Sequence, residues 1–187
     1  MSSSTVTSIL LPQFEFTSLK AAVLDADATA TTYLLNCPWD DPDYEYSDSC
    51  GTYNNTVTVG PWASKTLSLG AAKTGVWDLY INMPSISPPW TFSVHCEMSR
   101  TVAQECTKIN IGGNNDGTPT VTVTSPDGLE DLELDAFSYI PITITAGQEL
   151  LAATHSASDK ATTTDDTSDS AQSTASKDAD SKALSSE

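Results

Sequence analysis

The sequence predicts an all-β fold, an antiparallel β-sandwich (Ig-like or related) with a disordered C-terminal tail. Three observations carry this prediction. Short runs that alternate apolar and polar residues recur about every ten residues along the first three quarters of a 187-residue chain. Four cysteines fall into two close pairs, Cys37 with Cys50 and Cys96 with Cys106. From Thr154 onward only Ser, Thr, Ala, Asp and Lys recur, joined by one each of Gln, Leu, His and Glu. That last stretch cannot bury enough apolar surface to offset its ordering entropy. The chain therefore divides into an ectodomain-like head, 1–153, and a stalk or linker, 154–187. A head of roughly 150 residues is large enough for one core of its own.

Taken in order, Thr5 to Leu11 alternates and reads as the opening strand. Leu19 to Asp25 and Thr29 to Asn36 follow, the latter rich in the β-branched and aromatic residues that suit a pleated surface. Pro38 to Tyr53 is a polar loop between Cys37 and the segment after Cys50. TVTVG at 56–60 and KTLSLG at 65–70 read as short strands, each ended by glycine. Val76 to Asn82 and Trp90 to Cys96 alternate on either side of a proline-rich turn. Val102 to Ile111, Thr120 to Thr124 and Tyr139 to Thr145 complete the set, and Leu129 to Ala136 is a helical turn or a loop. No strand alternates with a long helical pattern, which disfavours a parallel α/β sheet. Trp62, Trp77 and Trp90 are assigned to the core.

Four cysteines permit three pairings, and the sequential one closes the two shortest, turn-rich loops. Their spacing lacks the close CxxC-like pairs of structural zinc sites. An even count in a β-rich, hydroxyl-rich chain suits an oxidising compartment. Net charge is −17; the tail's seven acids and three lysines contribute −4, leaving −13 on the head. Such a head repels nucleic acid and anionic lipid surfaces, both of which require a basic footprint. No apolar run reaches the length of a membrane span. Neither terminus carries a secretory leader or a hydrophobic anchor signal, so a lipid anchor would belong to a longer precursor.

Signals for catalysis are weak. His95 and His155 are the only histidines; His155 lies in the tail, and His95 points outward if Trp90, Phe92 and Val94 share the inner face. Nucleophile-elbow, zincin and phosphate-loop motifs are absent, and no metal-ligand spacing or cofactor motif is present. The loop WDDPDYEYSD at 39–48 gathers five acids and three aromatics. It lacks the spacing and glycine of an EF-hand. Trp39, Tyr44 and Tyr46 are candidate ligand-binding residues, because aromatic faces stack on sugars or partner surfaces. Asn54-Asn55-Thr56 is the N-glycosylation pattern, with Asn54 as acceptor. The tail's hydroxyls suit O-glycosylation, which would stiffen it.

The segments TVTSILLP at 5–12, DATATTYLLNCP at 27–38, DSCG at 48–51 and PITITAG at 141–147, together with the two cysteine pairs, resemble the small secreted, GPI-anchored Ser/Thr-rich proteins of filamentous fungi. The resemblance implies a cell-wall or cell-surface address and an ectodomain that brings no catalytic residues. The reading is then a non-enzymatic extracellular protein with a structural, adhesive or host-interaction role, whose partner is a wall glycan or a surface protein. Its alternative is a carbohydrate-binding module using the aromatics of the 38–49 loop, and a glycan-active enzyme comes third.

Overall fold

The computed structural model describes residues 4–12, 18–38, 52, 54–67, 69–113, 119–124, 132 and 136–152. Among these described residues nine strands form one sheet: β1 (Thr5–Pro12), β2 (Leu19–Ala26), β3 (Thr31–Asn36), β4 (Asn55–Val59), β5 (Thr74–Met83), β6 (Trp90–Ser99), β7 (Val102–Gly112), β8 (Thr120–Val123) and β9 (Phe137–Ala146). Their spatial order is β1-β9-β2-β3-β4-β5-β6-β7-β8. From β2 to β8 the sheet is a meander of neighbours in sequence. At the other end, β9 lies between β1 and β2.

That insertion makes the sheet mixed. β9 is antiparallel to β1 but parallel to β2, so the expectation of a wholly antiparallel sheet is corrected. Pro141 lies within β9, where a residue without an N–H cannot serve a ladder on both sides. It faces Ser8 of β1, and the β2 ladder begins one residue later, at Leu19 opposite Ile142.

A second correction concerns the expected strand at 65–70, whose described residues (65–67, 69 and 70) form bends and a turn. β4 is already hydrogen-bonded to β3 on one side and β5 on the other, so no position beside β4 is left for the segment that follows it. Its alternating leucines do not mark a buried face, since Leu69 is fully exposed. The chain instead turns through a 3-10 helix at Pro61–Ala63, burying Trp62 and Ala63.

Arg100 fastens this segment from the β6–β7 turn. It adopts a left-handed backbone (φ 55°), and its guanidinium donates to the carbonyls of Trp62 at 2.8 Å and Ser64 at 3.0 Å. Its own N–H donates to the carbonyl of Lys73.

Trp77 shows how the sheet is shaped. It is fully buried, its indole N–H donates to the carbonyl of Leu10 at 3.0 Å, and its ring meets Phe137 edge-on at 4.9 Å. β1 and β5 are five strand intervals apart, which in a flat sheet would separate them by about 24 Å at ~4.8 Å per strand. The sheet must therefore curl until β1 and β9 lie over β5. Leu10, Leu11, Leu19, Leu35, Val57, Val94, Met98, Ile142 and Ile144 fill the space enclosed. Trp90 departs from its assignment. It shares the inner face but is only half-buried, at the end of β6, against Phe92 and with its N–H on Asn110 Oδ1.

Candidate functional site

Cys96 and Cys106 are direct cross-strand neighbours in the β6–β7 hairpin and form a disulfide with Cα atoms 4.1 Å apart. Both are buried. Cys37, just beyond β3, is also disulfide-bonded; Cys50, the partner expected from the sequence, lies outside the described residues. So do Trp39, Tyr44 and Tyr46. What is described is the root of their loop. Asn36, the last residue of β3, accepts a hydrogen bond from the Asn54 N–H at 2.9 Å and donates its side-chain amide to Asn54 Oδ1 at 3.3 Å.

Asn54 itself is exposed and left-handed (φ 50°), immediately before β4. Those two bonds use its backbone N–H and its side-chain oxygen, not the nitrogen to which a sugar would attach. Asn55 turns the other way. It is buried, and its Oδ1 has no hydrogen-bond partner.

The outward face of the meander carries an arrangement that the linear sequence conceals. Register places Thr32, Thr58, Asp78, His95, Thr107 and Thr122 side by side across β3 to β8. They are joined in pairs: Thr32 to Thr58 at 2.9 Å, His95 Nδ1 to Asp78 Oδ1 at 2.7 Å, and Thr107 to Thr122 at 2.9 Å. His95 points outward as anticipated, but with an oriented carboxylate beside it. A hydrolase dyad would need a nucleophilic hydroxyl on the other ring nitrogen. Here the near neighbour of Nε2 is Glu97 Oε1, 3.9 Å away. Among the described residues no group of three His, Cys, Asp or Glu side chains is placed to hold a metal ion.

A cleft of about 680 Å³ opens elsewhere, between β1, the β2–β3 turn and the Pro61–Ala63 segment. Ile9, Leu10, Val59 and Ile144 contribute apolar lining, with Thr7 and Ser64 adding hydroxyls. Among the described lining residues the one carboxylate is Asp27, at the β2–β3 turn. The Thr29 hydroxyl and the N–H groups of Thr29 and Ala30 all donate to Asp27 Oδ1. They hold its carboxyl below the usual carboxylate range. Burial pushes the Tyr33 phenol up, so that side chain stays neutral near pH 7. Asp27 is therefore committed to shaping a turn, and among the described lining residues no second carboxylate stands beside it for acid–base work.

A family model described as Domain of unknown function (DUF8768) matches residues 2–146. The chain belongs to this family. No curated protein and no solved structure matches it. The DUF8768 match begins beside β1 and ends on Ala146, the last residue of β9. The matched span thus takes in all nine strands from β1 to β9, and the Ser/Thr-rich segment lies beyond it.

Proposed function

We propose that this DUF8768 protein is a non-enzymatic extracellular domain with a structural or adhesive role, carried at a cell surface or wall by the hydroxyl-rich 154–187 segment. In this reading the curled sheet is a β-sandwich of Ig-related kind, and a lipid anchor of GPI type belongs to the precursor. The carrying observation is the state of the cysteines: Cys37, Cys96 and Cys106 are all bonded. Disulfides persist in oxidising compartments and are rare where glutathione and thioredoxin keep thiols reduced. The acidity of the chain supports the same address, since it disfavours nucleic acid as a partner. No helix among the described residues is long and apolar enough to cross a membrane.

The test is the intact mass of the natively produced protein, before and after thiol alkylation under reducing and non-reducing conditions and after deglycosylation. Two disulfides with heterogeneous sugar on the 154–187 segment is the expected result. Four free thiols on an unmodified chain would end the extracellular reading.

Glycan binding by the 38–49 loop is a second reading, favoured by the clamp at that loop's root formed by Asn36, Asn54 and the bonded Cys37. Changing Trp39, Tyr44 and Tyr46 together to Ala should then abolish binding to soluble glycans. Unchanged binding would remove the loop from consideration.

A further inference from the structure

We propose that the outward face of β3 to β8 docks a linear, cationic, hydroxyl-rich polymer, namely a chain of deacetylated amino sugars. This deepens the extracellular reading by naming a ligand class, and it rests on that reading only for where protein and polymer would meet.

Charge selects the sign of the ligand. The outward side chains of β5 to β7 include Asp78, Glu97 and Glu105, with His95 among them. Lys108 is the only Lys or Arg in strands β3 to β8, and it points inward with 4% of its surface exposed. No lysine or arginine on these strands therefore offsets the carboxylates facing solvent. Ammonium groups arriving from outside would meet three carboxylates with His95 as the one basic side chain among them.

Hydroxyl patterning selects the kind of cation. The row from Thr32 to Thr122 presents hydrogen-bonding groups at every strand interval, about 24 Å when followed along the curved sheet at ~4.8 Å per strand. One step along the strands, Thr56, Tyr80, Ser93, Ile109 and Thr120 form a parallel row. Within it Tyr80 and Ile109 are 47% and 38% exposed. A sugar chain can use all three features at once: hydroxyls meet the Thr and Ser side chains, C–H ring faces cover Tyr80 and Ile109, and ammonium groups approach the carboxylates. A basic peptide fits less well, because extended peptides dock on strand edges and helical ones in grooves. This surface is the side-chain field in the middle of a sheet, where the backbone is already paired.

The experiment uses the full, disulfide-bonded chain and fluorescence anisotropy of a labelled glucosamine oligomer, with an N-acetylglucosamine oligomer and a Lys-rich peptide as competitors. The expected result is salt-sensitive binding of the glucosamine oligomer, with both competitors much weaker. Neutralising the face (Asp78→Asn, Glu97→Gln, Glu105→Gln) should weaken binding by on the order of 10-fold. Tyr80→Ala alone should weaken it several-fold. A control that removes charge elsewhere, Asp25→Asn with Glu149→Gln, should leave it within about 2-fold, as distant exposed charges are screened.

Equal loss in that control would show that net charge alone attracts the oligomer, and the proposal would fall. Equal binding of the N-acetylated oligomer or of the Lys-rich peptide would overturn it as well, as would unchanged affinity in the folded face variants. The extracellular reading stands or falls separately, on the mass measurement.

Discussion

Replacing Cys96 and Cys106 together by Ala tests how the β6–β7 hairpin is held. The two cysteines are ten residues apart in sequence and occupy facing positions on adjacent strands. If the cross-link acts by restricting the unfolded chain, closing a loop of this length stabilises by about 2.7 kcal/mol at 25 °C. Both sulfurs are buried, so truncation to Ala also leaves a void that adds to the loss. For a domain of roughly 150 residues, the entropic part alone corresponds to a fall in Tm of about 5–11 °C. Urea unfolding followed by tryptophan fluorescence supplies the decisive second number. Releasing the unfolded chain should expose more surface on unfolding and raise the m-value. A stability loss under about 1 kcal/mol would refute the chain-entropy argument. A larger loss with an unchanged m-value would move the effect into native packing instead.

Trp77→Phe strands the buried carbonyl of Leu10 and should cost about 1–3 kcal/mol beyond the lost volume; a urea titration measures it. At Gly75, an added Cβ would sit 2.2 Å from the Trp62 ring. Gly75→Ala should therefore destabilise by roughly 1–3 kcal/mol, and a smaller side chain at position 62 should rescue it in a double-mutant cycle. Asp27 has a folded-state pKa below its unfolded one. Its stabilising contribution is thus full above the unfolded value and is lost as pH falls through the folded value. Asp27→Asn should accordingly be less stable than wild type near neutral pH, with the gap in urea midpoint closing as pH falls through the lowered folded-state value. Removing 154–187 should leave the thermal midpoint within about 2 °C, because that segment lacks core-forming groups.

Much of the strand pattern could be read from local alternation, since β1 to β9 all lie within a few residues of where alternation places them. What alternation cannot report is which edges are free. Residues 65–70 alternate as well as β8 does, yet β8 has an open position beside β7 and 65–70 has none beside β4. The parallel contact of β2 with β9 was invisible for a related reason, because it joins segments more than a hundred residues apart. Register hid the candidate site in the same way. Asp78 and His95 come together only once β5 and β6 are aligned, and nothing in either strand marks the other. Polarity misleads outright in β7, where Lys108 and Asn110 are buried while Ile109 and Ile111 are exposed. The buried Cys96–Cys106 bridge fixes which face of β7 turns inward, and 108 and 110 share the parity of Cys106.

The position of β9 between β1 and β2 has a consequence for biosynthesis. As the chain emerges from its N-terminus, β1 and β2 are made first, but the strand that joins them begins only at Phe137. Roughly 110 residues must follow β2 before it arrives, on the order of 5–20 s at ~5–20 residues per second. During that interval Ile9, Leu10 and Leu11 of β1 have no partner strand and β2 is paired only on its β3 side, while the β2 to β7 meander can already form. The last-made strand thus closes the earliest-made ones. A premature stop before β9 would release a chain with the apolar strand β1 unpaired and one edge of β2 open to association with its neighbours.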